Sequence, residues 1–189
     1  MTLTTLPMGH QPSPPPTSRK KFLAAVGVKA ARFLPGKPPF IRRGKAKGRY
    51  AVGLRYERQV HELLELHCLG KAAIDLKLGP WIEFEDKNGR RWCQPDAVLL
   101  NRSQRRALIA EIKYQHTVDA WWQLRHLYSP VLAYMFPDMD FSLVEIVHWF
   151  DPLVAWPETP VLIRSLDQVP HDSNLVAVHI CNPNRRAQF

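Results

Sequence analysis

Two acids and a lysine stand at the ends of apolar runs. Asp96 opens DAVLL, Glu111 closes ALIAEI all but one residue, and Lys113 follows two positions later. The runs are joined by the polar loop NRSQRR, residues 101 to 106. If that loop closes symmetrically, partner numbers sum to 207, which sets Leu100 opposite Ala107, Val98 opposite Ile109 and Asp96 opposite Glu111. With a side-chain period of two, all six share one face of the sheet, and Lys113 follows on it. Like charges directly across a strand pair are destabilising unless a cation neutralises them. Hard divalent cations such as Mg²⁺ or Mn²⁺ take oxygen ligands, usually one or two carboxylates completed by water and substrate phosphate. The ordinary alternative is a proline opening a strand and a Glu/Lys surface pair on an edge strand. Acids that bracket two apolar strands after a helix favour the metal reading.

The elements that must position these groups are readable from periodicity. GLRYERQVHELLELHCL, 53 to 69, places Tyr56, Val60, Leu63, Leu64 and His67 at helical spacing, with Gly70 as its stop. WIEFED, KNGR and RWCQ predict a hairpin turned by Asn88-Gly89. DAVLL and ALIAEI are nearly continuous in apolar character, as strands covered on both faces are. VDAWWQLRHLYSPVLAYMF predicts a helix bent at Pro130, SLVEIVHWF a strand, and VLIRSL and NLVAVHIC two short closing strands. The expected architecture is α/β: a central mixed β-sheet flanked by helices, in the order αβββαβ, with a small C-terminal β extension. No internal repeat interrupts it.

Charge divides the chain. Twelve Lys/Arg and no acid precede Glu57, against 14 Lys/Arg and 17 Asp/Glu from there on, within a net charge of +9. Residues 1–48, rich in Pro, Gly, Ser and Lys/Arg, are expected to be a flexible basic arm, and 49–189 the folded domain. Prolines on either side leave only RKKFLAAVGVKAARFL as room for a short helix in the arm. Such an arm is drawn to phosphate, where it releases counterions and binds without reading sequence. Arg42, Arg43, Lys45, Lys47 and Arg49 are the expected phosphate contacts. A solubilising tail and an organelle transit peptide are the other readings of this composition. No apolar run reaches the ~20 residues that span a bilayer, so a cytoplasmic, nucleoid-associated protein without a membrane partner is expected. Cys68, Cys93 and Cys181 lie far apart and suggest neither a disulfide framework nor a zinc site.

The arrangement Pro95-Asp96, fourteen residues, then Glu111-Ile112-Lys113 resembles the PD-(D/E)xK nuclease superfamily, with its restriction-endonuclease-like core of helix, three strands, helix and strand. The likeness covers about residues 50 to 150. It implies metal-dependent hydrolysis of phosphodiester bonds in DNA, with Asp96 and Glu111 holding Mg²⁺ or Mn²⁺, the Ile112 carbonyl adding a ligand, and Lys113 orienting or deprotonating the attacking water. Glu57, with Gly53 four residues before it, matches a first-helix glutamate of archaeal-type Holliday junction resolvases and joins the catalytic and metal set. The hairpin running into Pro95-Asp96 is similar to the endonuclease subunit of heteromeric transposases. His61, Gln123 and Tyr128 resemble the helix histidine and the Gln…Tyr pair of RecB-like exonucleases, although Gln123 and Tyr128 are one residue further apart than that pattern.

These likenesses imply an endonuclease of recombination, transposition or mobile-element processing, with DNA as partner and a homodimer or a recombination protein as companion. The alternative is a nuclease-fold protein without activity that serves as a nucleic-acid-binding or assembly module. On a helical wheel Glu57, His61, Leu64 and Cys68 form one stripe, while Glu62 and Glu65 point elsewhere. Gln123 is a phosphate contact or an ordinary surface glutamine. Trp121 and Trp122 are expected to pack in and around the core, and His116 to be a polar residue leaving a strand.

Overall fold

Helix α1 (Arg49–Cys68) buries Tyr56, Val60 and Leu64, three positions four residues apart and therefore on one stripe. It starts four residues earlier than expected, behind Gly48 at φ 57°, and stops before Gly70 at φ 79°. These belong to a computed structural model that describes residues 23–41 and 47–183. The strands are β1 (Ala30–Phe33), β2 (Ile74–Leu78), β3 (Ile82–Asp86), β4 (Gly89–Cys93), β5 (Ala97–Asn101), β6 (Arg106–Gln115), β7 (Asp140–Trp149), β8 (Val161–Ile163) and β9 (Val176–Ile180). They form an α/β structure with two sheets among the described residues. The large one is mixed, in the order β2-β5-β6-β7-β9-β8, and the small one runs β1-β3-β4.

In the large sheet β2, β5 and β6 are antiparallel, whereas β7, β9 and β8 continue parallel to β6 and to one another. The β5–β6 register is the one read from the loop: Ala97 faces Ala110, Val98 faces Ile109 and Leu100 faces Ala107. Both sides of these strands are covered. Val98, Leu100, Ile109 and Leu143 pack with Leu124, Tyr128 and Leu132 of the following helical segment and with Ile82 and Phe84 of the small sheet. Leu99, Ala110, Ile112, Val144 and Ile146 pack on the other side with Tyr56, Val60 and Leu64 of α1. The closing strands VLIRSL and NLVAVHIC become β8 and β9, which lengthen the central sheet. No helix among the described residues is long and apolar enough to cross a membrane.

Three expectations are corrected. The hairpin β3–β4 does not supply central strands; it pairs with β1 in the small sheet, and the first central strand is β2, IDLKL, a short apolar/polar alternation that is half-buried throughout. The hairpin itself turns on Lys87 and Asn88 between paired Asp86 and Gly89. Only Gly89 takes positive φ, at 91°, while the Asp86 carboxylate accepts from the Asn88 backbone N–H at 2.8 Å. The arm, finally, is not structureless up to residue 48. Arg91 of β4 donates to the carbonyls of Leu23 and Ala24 at 2.8 and 2.9 Å and to buried Asp86, and Asp86 in turn accepts from the Val26 N–H at 3.2 Å. β1, which follows, falls within the stretch that left room for a short helix, and pairs with β3 instead.

The long helix between β6 and β7 is broken into α2 (Val118–Gln123), a π-helical turn (Leu124–Tyr128) and α3 (Ser129–Met135). Pro130 accounts for the break. It has no N–H to offer the carbonyl of residue 126, and its ring crowds that carbonyl outward. The freed His126 carbonyl accepts from the Ala25 N–H at 2.7 Å. The N-terminal segment thus completes the hydrogen bonding that the proline interrupts.

Candidate active site

Asp96 precedes β5 at the point where β2 and β5 stop running together. Its carbonyl accepts from the Gly79 N–H at 2.7 Å and lies 3.0 Å from His61 Nε2 of α1. Its carboxylate takes over the place a strand carbonyl would hold, with Oδ2 accepting from the Ile112 N–H at 2.7 Å. Glu111 lies one residue earlier on β6, in register with Asp96 and only 2 % exposed. Its Oε1 is paired with Lys113 Nζ, the Tyr128 hydroxyl stands near enough to help hold the carboxylate, and Oε2 is buried without a hydrogen bond of ordinary geometry. A buried carboxyl without a full set of partners is costly to ionise, and the charge of Asp96 adds to that cost.

The electrostatics follow from that crowding. Burial, and then the charge of Asp96, push the Glu111 carboxyl up to about 8, with Lys113 and Tyr128 opposing. Burial also raises Asp96, against Lys113 and the Ile112 N–H. Burial works against the Lys113 ammonium, yet Glu111 and Asp96 outweigh it and hold its pKa above the usual lysine range. Lys113 is therefore a fixed cation near neutral pH, which suits charge neutralisation and argues against its acting as the base. Glu57, half-buried on α1, is brought within electrostatic reach of Asp96 and Lys113. Burial and then Asp96 lift its carboxyl to about 7.

Gln123, expected at the surface, is buried. Its Nε2 donates to the Tyr128 hydroxyl at 3.0 Å, and that hydroxyl donates to the Gln94 carbonyl at 3.2 Å. The π turn makes this contact possible. An i→i+5 turn absorbs one extra residue, so side chains five apart meet where an α-helix would bring together residues four apart. Gln123, Tyr128 and Lys113 line one cleft of about 780 Å³.

The other site residues divide cleanly. Lys47 and Arg49 are exposed beside the start of α1, while Arg42, Arg43 and Lys45 lie outside the described residues. Trp121 is core, with Nε1 donating to Glu158 at 2.6 Å, and Trp122 packs against the same cluster. His116 leaves β6 as expected, directly after Gln115, but it is no simple polar residue. It is 2 % exposed, its Nδ1 pairs with fully buried Glu145 of β7, and its ring lies between Phe150 and Trp156. Glu145 is the in-register neighbour of Glu111, and periodicity did not single it out. The available signal was a lone acid inside the apolar strand SLVEIVHWF.

In comparisons with known proteins, no family model, no curated protein and no solved structure matches this chain. Among the described residues no group of three or more His, Cys, Asp and Glu side chains is arranged to hold a metal unaided. The donor set nevertheless fits a hard divalent cation, which asks for one or two carboxylates and takes its other oxygens from water, backbone and substrate. The buried Glu111 carboxyl under the charge of Asp96 is where such a cation would relieve an existing cost.

A pH dependence follows. The Glu111 carboxyl rises from its ordinary 4.5 to about 8 in the folded protein. Below about 8 the folded protein holds a proton that the unfolded chain has released, so metal-free stability declines as pH rises from 4.5 toward 8. A cation must displace the same proton. Mg²⁺ affinity is therefore expected to climb by up to about tenfold per pH unit between pH 6 and 8 and to level off above. Calorimetry in buffers of different ionisation enthalpy measures both the affinity and the released proton; a flat affinity over that window would refute the assignment.

Proposed function

We propose that this chain is a metal-dependent nuclease that hydrolyses phosphodiester bonds in DNA. The observation that carries the reading is the buried Glu111 carboxyl, whose Oε2 has no hydrogen bond of ordinary geometry, under the charge of Asp96 and with the Lys113 cation alongside. The order of elements supports it: α1, antiparallel β2, β5 and β6, a helical segment, then β7 parallel to β6. That is the αβββαβ order of a restriction-endonuclease-like core, with the β3–β4 hairpin inserted between its first two strands.

Asp96, Glu111 and the Ile112 carbonyl would hold Mg²⁺ or Mn²⁺, with Glu57 and His61 bordering them. Such a cation makes a water a better nucleophile near neutral pH and steadies charge on the phosphoryl and leaving oxygens. Lys113 contributes a permanent positive charge where the phosphoryl oxygens gain negative charge. Glu57, titrating near 7, is the group matched to accept the proton of the attacking water. Gln123 and Tyr128 fix each other at the wall of the cleft and hold the polypeptide around Gln94 in place. Among the subfamily likenesses, the RecB-like exonucleases gain most, because the π turn compensates for the extra residue between Gln123 and Tyr128.

The test is incubation of wild type and Lys113→Ala with supercoiled, linear, single-stranded and four-way-junction DNA in Mg²⁺. Wild type is expected to cut, and Lys113→Ala to bind Mg²⁺ with similar affinity but cut about 10²-fold more slowly or worse. Ends only from linear substrates would make the enzyme an exonuclease; nicking or linearising of supercoiled DNA would make it an endonuclease. No cutting of any form would favour the inactive binding module.

A further inference from the structure

The cleft that reaches Lys113 is walled by aromatic rings to an extent that phosphodiester chemistry does not require. Tyr50 is 66 % exposed at the start of α1, and Trp81 and Trp92 are half-buried on the β3–β4 hairpin. All three line the same cleft as Lys113, Gln123 and Tyr128. Phe40 meets Trp92 edge-on, with ring centroids 4.7 Å apart and planes at 67°, an arrangement that steadies the indole. Among the described residues Lys113 is the one base lining the cleft, Asp119 is an acid on the same wall, and exposed Lys47 and Arg49 adjoin Tyr50 in the chain.

An aromatic wall of this kind distinguishes two kinds of nucleic acid. A duplex is held chiefly through its phosphates, by Lys and Arg, and hides its base faces in its own stack. An unpaired strand offers every base face, and aromatic side chains stack on those faces whatever the sequence. We propose that the site takes an unpaired nucleic-acid strand, whose bases stack on Trp81, Trp92 and Tyr50 while the phosphate beyond them meets Lys113. The inference rests on the nuclease reading and names its substrate class. A cleft of about 780 Å³ is of the size that encloses a small guest, so the strand enters it a nucleotide or so at a time. The hairpin insertion thereby gains a role, carrying two of the three stacking rings to the mouth of the site.

The experiment uses the full chain. Asp96→Asn, which blocks cutting, is titrated in Mg²⁺ with a ten-nucleotide single-stranded DNA, its RNA counterpart and a blunt duplex, while tryptophan fluorescence is followed. Single strands are expected to quench the fluorescence and to bind at least about tenfold more tightly than the duplex. Adding Trp92→Ala or Trp81→Ala is expected to weaken single-strand binding about 5- to 100-fold per ring. Trp92→Phe, which keeps a stacking face, restores most of it, and thermal melts exclude unfolding as the cause. The DNA and RNA arms decide which unpaired strand is preferred. Equal affinity for duplex and single strand, or single-strand binding indifferent to both alanine variants, overturns the proposal. Cleavage by the otherwise wild-type chain separates the two readings. Duplex cut as fast as single strand, with the tryptophan variants unaffected, removes the stacking proposal and leaves the nuclease. Ring-dependent single-strand binding without any cleavage removes the nuclease and leaves the stacking groove.

Discussion

Glu111→Gln is expected to lower Mg²⁺-dependent cleavage by about 10³-fold or more while making the metal-free protein more stable. Both effects come from one side chain. Glu111 is 2 % exposed, feels the charge of Asp96, and has one carboxylate oxygen without a hydrogen bond of ordinary geometry. On the proposed function, folding bears that cost because the oxygen would serve a cation. A glutamine keeps the shape, removes the repulsion, and can turn an N–H toward Asp96. Lys113 loses its partner, but with a side chain 30 % exposed it can lean to water at small cost. The relief of a buried carboxyl whose ionisation is opposed by burial and by Asp96, about 1–2 kcal/mol, outweighs it, and the melting temperature should rise by roughly 2–4 °C per kcal/mol for a chain of this size. Mg²⁺, expected to stabilise wild type by binding only the folded state, should leave the variant's melting curve unmoved. Thermal melts with and without Mg²⁺, beside a cleavage assay, measure all three. A variant that melts lower, or that Mg²⁺ still stabilises, would show that Glu111 has a structural role instead.

Glu145→Ala is expected to be the most damaging single change to stability, by about 3–5 kcal/mol, the usual loss when one partner of a buried pair is removed. Glu145 is fully buried; its Oε2 pairs with His116 Nδ1, and its Oε1 accepts from the Thr117 N–H at 3.1 Å. Thr117 in turn caps α2, its hydroxyl accepting from the Ala120 N–H at 3.3 Å, and its carbonyl accepts from Trp156 Nε1 at 3.0 Å. One carboxylate thus ties β7 to the end of β6 and to the start of the helix that carries Gln123. Truncation leaves His116 buried with both ring nitrogens unpartnered, since Nε2 has no partner already. Glu145→Gln keeps an acceptor for Thr117 and a donor for His116, and should lose less than half as much. Denaturant titration of the two variants gives the difference. Equal losses would mean that the charge matters and the hydrogen bonds do not.

Much of the site was legible because it is built from local periodicities. The six-residue loop 101 to 106 and the two-residue alternation of a strand suffice to pair Val98 with Ile109 and to bring Asp96 beside Glu111. The stripe Tyr56, Val60, Leu64 suffices for α1, and Glu57 and His61 then come to the same edge as Asp96. A lysine two residues after Glu111 must share its face. These conclusions need only the chain's own geometry over some twenty residues.

What remained hidden depends on which distant segment arrives as neighbour. The hairpin β3–β4 has the same local pattern whether it joins the central sheet or leaves it. Its place was decided by β1 and by Arg91 and Asp86 gripping residues 23 to 26, some sixty positions away. The π turn needs both Pro130, which is visible in the chain, and the Ala25 N–H, which only folding delivers to the His126 carbonyl. His116 and Glu145 look like unrelated polar residues 29 positions apart until parallel pairing of β6 with β7 buries them together. The sequence alone determined the strand register, the first helix and the carboxylate edge, because periodicity assigns side chains to faces. Tertiary structure alone decided the anchored N-terminal segment, the Gln123–Tyr128 contact and the aromatic mouth of the cleft, because burial and unmet hydrogen bonds choose partners that periodicity cannot see.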